Sequence, residues 1–258
     1  MNAEIVILGS GTSMGVPTLG CNCAVCASVD PRDTRSRPSI AVQWNDHTVV
    51  IDTGQDFRQQ ALREHIRHID AILYTHPHAD HILGMDDLRP LTFQRQGGLP
   101  LYADDQTAAV LRRIFEYTFS PNAKYPTRAR VDLRPLNERD SIEIAGLTFH
   151  RVPILHGDLT IAGFRFGSAA YLTDMNSIPE ASMALLQNLD VLIIDALRWH
   201  HHPSHNNIEQ ALNWVKRVQP RRAFFTHIAH ELEHSKTEAQ LPPDVRLAYD
   251  GLRISFEF

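Results

Sequence analysis

Three histidines and one aspartate are crowded into the six positions His76–His81, directly behind the apolar run Ala71–Tyr74. The apolar run has the composition of a buried strand. Imidazole and carboxylate groups are the ligands that zinc, manganese and iron accept. Because alternate side chains of an extended chain point the same way, the first two histidines are predicted to face one metal. Asp80 and His81, where the chain turns into a helix, are predicted to face a second metal. The fold must therefore bring the end of a strand to a metal site.

Apolar runs of strand composition recur along the whole chain. These runs are Ile5–Leu8, Ile40–Trp44, Thr48–Ile51, Ala71–Tyr74, Leu99–Tyr102, Leu147–Val152, Thr160–Phe166, Ala169–Leu172, Val191–Ile194, Ala223–Phe225 and Leu252–Phe256. Helical periodicity is found between them in Phe57–His65, Gln106–Tyr117, Pro179–Leu186 and Ile208–Val218. Adjacent strands early in the chain and alternating strands and helices later predict an α/β sandwich, with its sheets covered by helices. We expect one domain spanning residues 1–258, with a surface loop from Ser120 to Arg130.

Several of the predicted strands end close to a potential metal ligand. They lead to His76, His156, Asp174, Asp195 and His227. In α/β folds, sites form outside the carboxyl ends of the strands, so these side chains are predicted to converge on one cleft.

The spacing of these residues predicts a pair of metals, as in two-metal hydrolases. One metal is assigned to His76, His78 and His156, and the other to Asp80, His81 and His227. Asp174 is assigned as the bridge, because a carboxylate has two oxygens. A hydroxide held between the metals is the expected nucleophile.

The only three cysteines, Cys21, Cys23 and Cys26, are crowded together. An odd number at this spacing argues against a disulfide framework and in favour of a metal site. The segment Met1–Ile5 has no basic region, and no apolar stretch is long enough to span a membrane, so we expect a cytoplasmic protein. The formal net charge of -5 gives no basic field, so stable nucleic-acid binding is not expected.

Taken in order along the chain, the motif His76–His81 followed by His156, Asp174 and His227 resembles the metallo-β-lactamase superfamily of αββα hydrolases. True β-lactamases usually have another residue at the position of His81. The segments Gly9–Pro17 and Gly20–Cys26 further resemble the PhnP-type phosphodiesterases, accessory enzymes of carbon–phosphorus bond metabolism. The resemblance therefore implies a metallo-β-lactamase-like αββα sandwich.

The resemblance also implies roles for individual residues. A separate structural zinc would be held by Cys21, Cys23, Cys26 and His230. His205 would protonate the leaving oxygen, and we count it as catalytic together with the metal ligand Asp80. Asp52 would orient a ligating histidine.

For function, the resemblance implies hydrolysis of small cyclic or nucleotide-like phosphodiesters, such as cyclic ribose phosphates and 2′,3′-cyclic nucleotides. Two divalent catalytic metals, Mn²⁺ or Zn²⁺, and one structural Zn²⁺ are the expected cofactors. The expected partner is a small phosphodiester substrate, without a membrane, and a homodimer is left open.

Three other functions compete with the phosphodiesterase. A tRNA 3′-processing endonuclease would need a basic arm, which the net charge of -5 does not favour. A thioesterase or lactonase is not expected to carry the cysteine cluster. A PqqB-like binding or carrier protein would lack the full histidine motif.

Other histidines and one glycine-rich segment are given no part in the chemistry. No role is assigned to His200, His201 and His202, and the surface is predicted for His47, His65, His68, His150 and His234. The segment Gly9–Pro17 does not fit the dinucleotide-binding fingerprint, because its third glycine is misplaced, and is interpreted as a tight turn near the metals.

Overall fold

The computed structural model describes residues 2–93, 95–120, 125, 127–137 and 141–258. The strands within these ranges are β1 Asn2–Gly9, β2 Ser39–Trp44, β3 His47–Ile51, β4 Ala71–Leu73, β5 Leu99–Ala103, β6 Val131–Pro135, β7 Ser141–Ile144, β8 Leu147–His156, β9 Leu159–Phe166, β10 Ala169–Leu172, β11 Val191–Asp195, β12 Arg222–Thr226, β13 Val245–Leu247 and β14 Arg253–Glu257. The α-helices are α1 Phe57–Arg63, α2 Ala79–Ile82, α3 Arg89–Thr92, α4 Asp105–Ile114, α5 Glu116–Phe119, α6 Glu180–Met183, α7 Ile208–Val218 and α8 His234–Glu238.

The strands form two sheets of similar construction. The first has the order β14-β1-β2-β3-β4-β5-β6, and the second has the order β13-β12-β11-β10-β9-β8-β7. In the first sheet the pairs from β14 to β3 are antiparallel and those from β3 to β6 are parallel. In the second, β13 to β10 are parallel and β10 to β7 antiparallel. Each sheet therefore has a parallel part whose strands end at a common edge.

Three apolar layers hold the two sheets and their helices together. The central layer lies between the sheets and contains Trp44 and Ile51 of the first sheet with Phe149 and Phe164 of the second. A second layer packs α7 and the segment around Leu186 on the outer face of the second sheet. A third packs α1 and α4 on the outer face of the first sheet. This order of helix, sheet, sheet and helix confirms the sandwich predicted from the sequence.

All eleven predicted strands are found, with small shifts at their ends. Three further strands, β6, β7 and β13, were not predicted. Much of β6 is exposed, and β13 is only three residues long, so neither has a long apolar run. Of the predicted loop Ser120–Arg130, residues 121–124 and 126 lie outside the described residues.

The four predicted helices are also found, and three of them differ in length. Helix α1 ends two residues earlier than predicted, before His65 takes a positive φ of 55°. The predicted helix Gln106–Tyr117 is divided into α4 and α5 at Phe115, whose ψ of 41° interrupts the helix. The predicted helix Pro179–Leu186 is divided into α6 and a 3₁₀ turn. Helix α7 has the predicted bounds.

Candidate metal centre

The motif behind β4 brings its potential ligands close together, and all of them except the exposed His78 are buried. Strand β4 ends at Leu73, and α2 begins at Ala79. The rings of His76 and His78 lie side by side, with centroids 4.6 Å apart. Asp80 and His81 lie in the first turn of α2, and both are buried. Gly54 permits this arrangement, because a Cβ at that position would lie 2.0 Å from the Asp80 carbonyl oxygen.

The predicted ligands are brought together as two groups that share one residue. In each group the potential ligand atoms all lie within 4.8 Å of one another. The first group contains His76, His78, His156 and Asp174, and the second contains Asp80, His81, Asp174 and His227. The structure thus places Asp174 in both groups, where the sequence predicted a bridging carboxylate.

Asp174 contacts both groups, because its Oδ2 faces one histidine of each and its Oδ1 faces a histidine of the second. Its Oδ2 is 3.7 Å from His76 Nε2 and 3.2 Å from His81 Nε2. Its Oδ1 is 3.1 Å from His227 Nε2. Asp80 Oδ2 is 3.2 Å from the same nitrogen of His81 and 4.0 Å from that of His227. These separations suit donor atoms that converge on a common cation, because two ligands at about 2.0–2.2 Å from one metal lie about 3–4 Å apart.

Several polar atoms in this cleft are buried without a hydrogen-bond partner. They are Nε2 of His76, His81 and His227, and Oδ2 of Asp80. Burial of a polar atom without a hydrogen-bond partner or a metal costs about 1–3 kcal/mol. Nitrogen and carboxylate oxygen donors aimed at common points are the ligand set of a divalent metal. The residues present therefore fit a pair of metals.

The charge balance of the cleft shifts the pKa values of its histidines in opposite directions. Burial and the neighbouring His81 lower the pKa of His76 well below its ordinary value. Burial also disfavours a charged His81, but Asp174, Asp80 and Asp52 outweigh it and raise the pKa of His81. In the same way Asp174 overcomes the effect of burial and raises the pKa of His227 to about 9. The carboxylates therefore favour a positive charge beside them. A divalent metal would supply that charge.

A second set of contacts fixes the orientation of the ligands. His81 Nδ1 lies 2.7 Å from Asp52 Oδ2, as the resemblance implied for Asp52. Thr75 donates its backbone N–H and its hydroxyl to the two oxygens of Asp52, at 2.8 and 2.7 Å. His156 Nδ1 lies 3.0 Å from the carbonyl oxygen of Ser204, which leaves Nε2 for the cleft. Such contacts fix the tautomer and the ring orientation of metal-binding histidines. The contacts of Thr75 and Ser204 were not predicted, although Thr75 directly precedes the motif.

His205 lies beside the two groups and not within them. Its Nδ1 is 2.8 Å from Asp195 Oδ2, and its ring is stacked on that of His227 with centroids 4.7 Å apart. Asp195 also accepts the backbone N–H of Met175 at 3.1 Å. Burial raises the pKa of Asp195 although His205 opposes it. The pair leaves Nε2 of His205 as the nitrogen available to a molecule in the cleft.

The cysteine site lies apart from the cleft and is formed by two distant segments. Nδ1 of His230 lies 3.3 Å from Cys21 Sγ, 3.4 Å from Cys23 Sγ and 3.6 Å from Cys26 Sγ. The backbone N–H of Cys26 and the ring of His230 lower the pKa of Cys23 to about 6, which favours the thiolate that metals bind. Three sulfurs and one imidazole form a closed donor set without a position for substrate. They fit one structural metal.

The prediction of a surface position is wrong for one histidine. The structure buries His234, with only 1% of its surface exposed. It packs against Tyr249, 5.7 Å between ring centroids, and its Nε2 faces Glu238 at 3.6 Å. The backbone N–H of His234 donates to the buried Asp33 at 2.8 Å, so this histidine lies where the first and last parts of the chain meet.

Comparison with known proteins gives one family and several relatives. The beta-lactamase superfamily domain matches residues 47–228. The crystal structure of a diphosphatase from the PhnP family is 49% identical, with a TM-score of 0.93, over 99% of this chain and 98% of that one. An octanoyltransferase from Porphyromonas gingivalis is 37% identical over 96% of this chain and 50% of its own length. A ribonuclease Z from Bradyrhizobium diazoefficiens is 29% identical over 54% of this chain and 47% of its own.

The curated relatives are longer than the aligned chain. The chain spans about half the length of those it matches, as the octanoyltransferase and the ribonuclease show. By contrast the PhnP-family diphosphatase is matched almost from end to end. None of the helices in the described ranges is long and apolar enough to cross a membrane.

Proposed function

Because the chain belongs to the beta-lactamase superfamily and resembles its PhnP family along nearly its whole length, we propose that it is a metal-dependent phosphodiesterase. Its substrates would be small cyclic or nucleotide-like phosphodiesters, including cyclic ribose phosphates and 2′,3′-cyclic nucleotides. The observation that carries the proposal is the pair of ligand groups joined by Asp174, with His205 beside them. Two metals held there would stabilise the charge on phosphate oxygens and produce a nucleophile from water.

In this proposal the protein positions the phosphorus centre and supplies a proton. His76, His78 and His156 would hold one metal, Asp80, His81 and His227 the other, and Asp174 both. A water molecule loses one proton to solvent as it adds to phosphorus, and the bond to the leaving oxygen breaks in line with it. His205, protonated and oriented by Asp195, gives its Nε2 proton to that oxygen, which leaves as an alcohol. Afterwards His205 takes a proton back from solvent.

A phosphoanhydride substrate is the second candidate, because the 49% identical relative is described as a diphosphatase. Both reactions cleave a P–O bond, so the same groups would serve either. They differ in the leaving group, which is an alcohol from a diester and a phosphate from a diphosphate. The ribonuclease function is less well supported, since the matching relative covers half of the chain and the net charge is -5.

The test is a substrate panel with defined metals. Protein stripped with a chelator and reloaded with Mn²⁺ or Zn²⁺ is assayed with bis(p-nitrophenyl) phosphate, 2′,3′-cyclic AMP, ADP and the carboxylic ester p-nitrophenyl acetate. We expect metal-dependent hydrolysis of phosphorus substrates, and the preference between cyclic AMP and ADP decides between the two candidates. Hydrolysis of the carboxylic ester alone would contradict both.

The Asp174→Asn variant tests whether the shared carboxylate holds the metals. Replacing one carboxylate oxygen by an amide nitrogen removes the bridge, so we expect loss of the two catalytic metals and of activity. The cysteine site should keep its metal. Elemental analysis of the purified protein should show about one metal per chain instead of about three. Asp132→Asn, at a half-exposed surface carboxylate, is the matched control and should keep the wild-type content. A wild-type metal content in Asp174→Asn would refute the bridging role.

A further inference from the structure

The histidine-rich run His200–His205 is only partly explained by the proposed chemistry. His200 and His201 are exposed, whereas His202 is half-buried. The His202 ring lies 4.9 Å from the His205 ring, and that ring lies 4.7 Å from the ring of His156. His202 thus continues a row of imidazoles from the candidate metal ligands to the rim of the cleft.

The hydrogen bonds of His202 determine which nitrogen carries its proton. Nδ1 faces the backbone N–H of Ser204 at 3.3 Å. A backbone N–H is a donor only, so Nδ1 must accept, and the proton of the neutral ring lies on Nε2. Burial and the neighbouring His205 lower the pKa of His202, in agreement with a neutral ring. His202 therefore presents an N–H donor beside the general acid.

The segment that carries His202 is tied to the metal centre. The carbonyl oxygen of Ser204 faces His156 Nδ1 at 3.0 Å. Asn176 donates to the carbonyl oxygen of Pro203 at 3.2 Å, and it accepts the backbone N–H of Gly157 at 3.0 Å. These contacts join the two residues that follow His202 to the strand end that bears His156. A donor held in this way can discriminate between substrates.

We propose that His202 is a specificity-determining residue that donates its Nε2–H to an oxygen of the leaving group. The inference rests on the proposed function, in which His205 protonates the leaving oxygen. Since the ring centroids are 4.9 Å apart, one leaving group is large enough to contact both histidines. Both candidate substrate classes have a second oxygen acceptor close to the scissile oxygen. A ribose oxygen of a cyclic nucleotide and a phosphate oxygen of a diphosphate both supply it, but a nitrophenolate does not.

The first test compares leaving groups in His202→Ala, with His202→Gln as the variant that keeps an N–H donor. With Mn²⁺-loaded protein, we expect His202→Ala to lower kcat/KM about 10- to 100-fold for 2′,3′-cyclic AMP or ADP, because the lost contact is to a polar group. The loss for bis(p-nitrophenyl) phosphate should be less than about threefold, and His202→Gln should recover part of the difference. His201→Ala, at an exposed neighbour, should match the wild type. Equal losses on all substrates would overturn the proposal.

A second measurement does not depend on turnover. In ¹⁵N-histidine spectra of the Zn²⁺-loaded wild type, with His202→Ala for assignment, we expect an Nε2–H tautomer at His202. Its signals should shift when inorganic phosphate or diphosphate is added. An Nδ1–H tautomer, or signals that stay unchanged with both anions, would overturn the inference. If the wild type hydrolyses none of the phosphorus substrates, the proposed function fails, and this titration still decides whether His202 binds such anions.

Discussion

Three residues of the cleft have a left-handed backbone that side chains rarely adopt. Asp52, Asp174 and His227 have φ values of 65°, 55° and 60°. Aspartate tolerates this region better than most residues, and each such position costs of the order of 1 kcal/mol or more. All three come within two residues of the end of a strand, where the chain turns and directs a side chain into the cleft. Backbone strain at two candidate ligands and at Asp52, which contacts a third, is typical of a functional site. The surrounding sheets hold the strained backbone in place.

The role of His205 can be tested directly by changing the leaving group of the substrate. His205→Ala removes the proton donor, so the loss of kcat should be about 10²–10⁴-fold for 2′,3′-cyclic AMP, whose leaving alkoxide needs a proton. Nitrophenolate leaves without one, and the loss for bis(p-nitrophenyl) phosphate should be below about tenfold. Steady-state kinetics with both substrates measures the difference.

The control for this prediction is Asp195→Asn, which keeps His205 but weakens its orientation. It should show the same dependence on the leaving group with a smaller loss. If His205→Ala lowered kcat equally for both substrates, His205 would have some other role than general acid.

The grouping of residues was predictable where a motif carried it. His76, His78, Asp80 and His81 lie together because their spacing is local, and the structure groups them as expected. Ser204 could not be predicted, because its carbonyl oxygen contacts His156 from 48 positions along the chain. The backbone offers an acceptor at every residue, so sequence carries no signal for which one is used.

At the scale of elements, the strand ends explain why distant residues meet. Strands β10, β11 and β12 are parallel, so the residues behind them reach one edge of the second sheet. Strands β3 and β4 do the same in the first sheet. Apolar runs made these strands predictable, because buried parallel strands are almost continuously hydrophobic. The pairing order was not predictable, since it depends on contacts between runs that look alike.

Helix α7 begins just behind His205, and its cap can be tested. Asn207 accepts the backbone N–H of Gln210 at 2.9 Å, and the side chain of Gln210 accepts that of Asn207 at 3.0 Å. Asn207→Ala removes this capping box, which should lower stability by about 1 kcal/mol. Thermal denaturation should show a Tm lower by about 2–4 °C.

A second variant separates the cap from a nearby contact. The side-chain amide of Asn207 also donates to the carbonyl oxygen of Trp199 at 3.2 Å. Asn207→Asp keeps the capping oxygen and loses this donor, so it should retain most of the stability. A Tm of Asn207→Ala equal to that of the wild type would show that the cap contributes nothing measurable.

At the scale of the whole molecule, the first and last parts of the chain are joined beside the cleft. Arg35 is fully buried and donates to the carbonyl oxygens of Ala229 and Leu232, at 3.3 and 2.8 Å, and to Asp33 at 3.0 Å. The cysteine site joins the same two segments through His230. His227 lies three residues before His230. The Arg35 hydrogen bonds and the cysteine site therefore support this candidate catalytic ligand as well as the fold. Because the partners lie about 200 residues apart, only a global resemblance could have indicated this link.

The cysteine site should be removable without loss of the catalytic pair, because Arg35 holds the segment independently. Cys23→Ala leaves an incomplete donor set, so the purified protein should contain about two metals per chain instead of about three. Hydrogen exchange should become faster in residues 226–234, since one of their attachments to the first part of the chain is lost. Activity should fall by less than in Asp174→Asn, as His227 loses orientation but stays a ligand. Ser28→Ala, close to the cysteines and outside the donor set, is the matched control. Retention of all metals in Cys23→Ala, or loss of the catalytic pair together with the structural metal, would contradict this division between the sites.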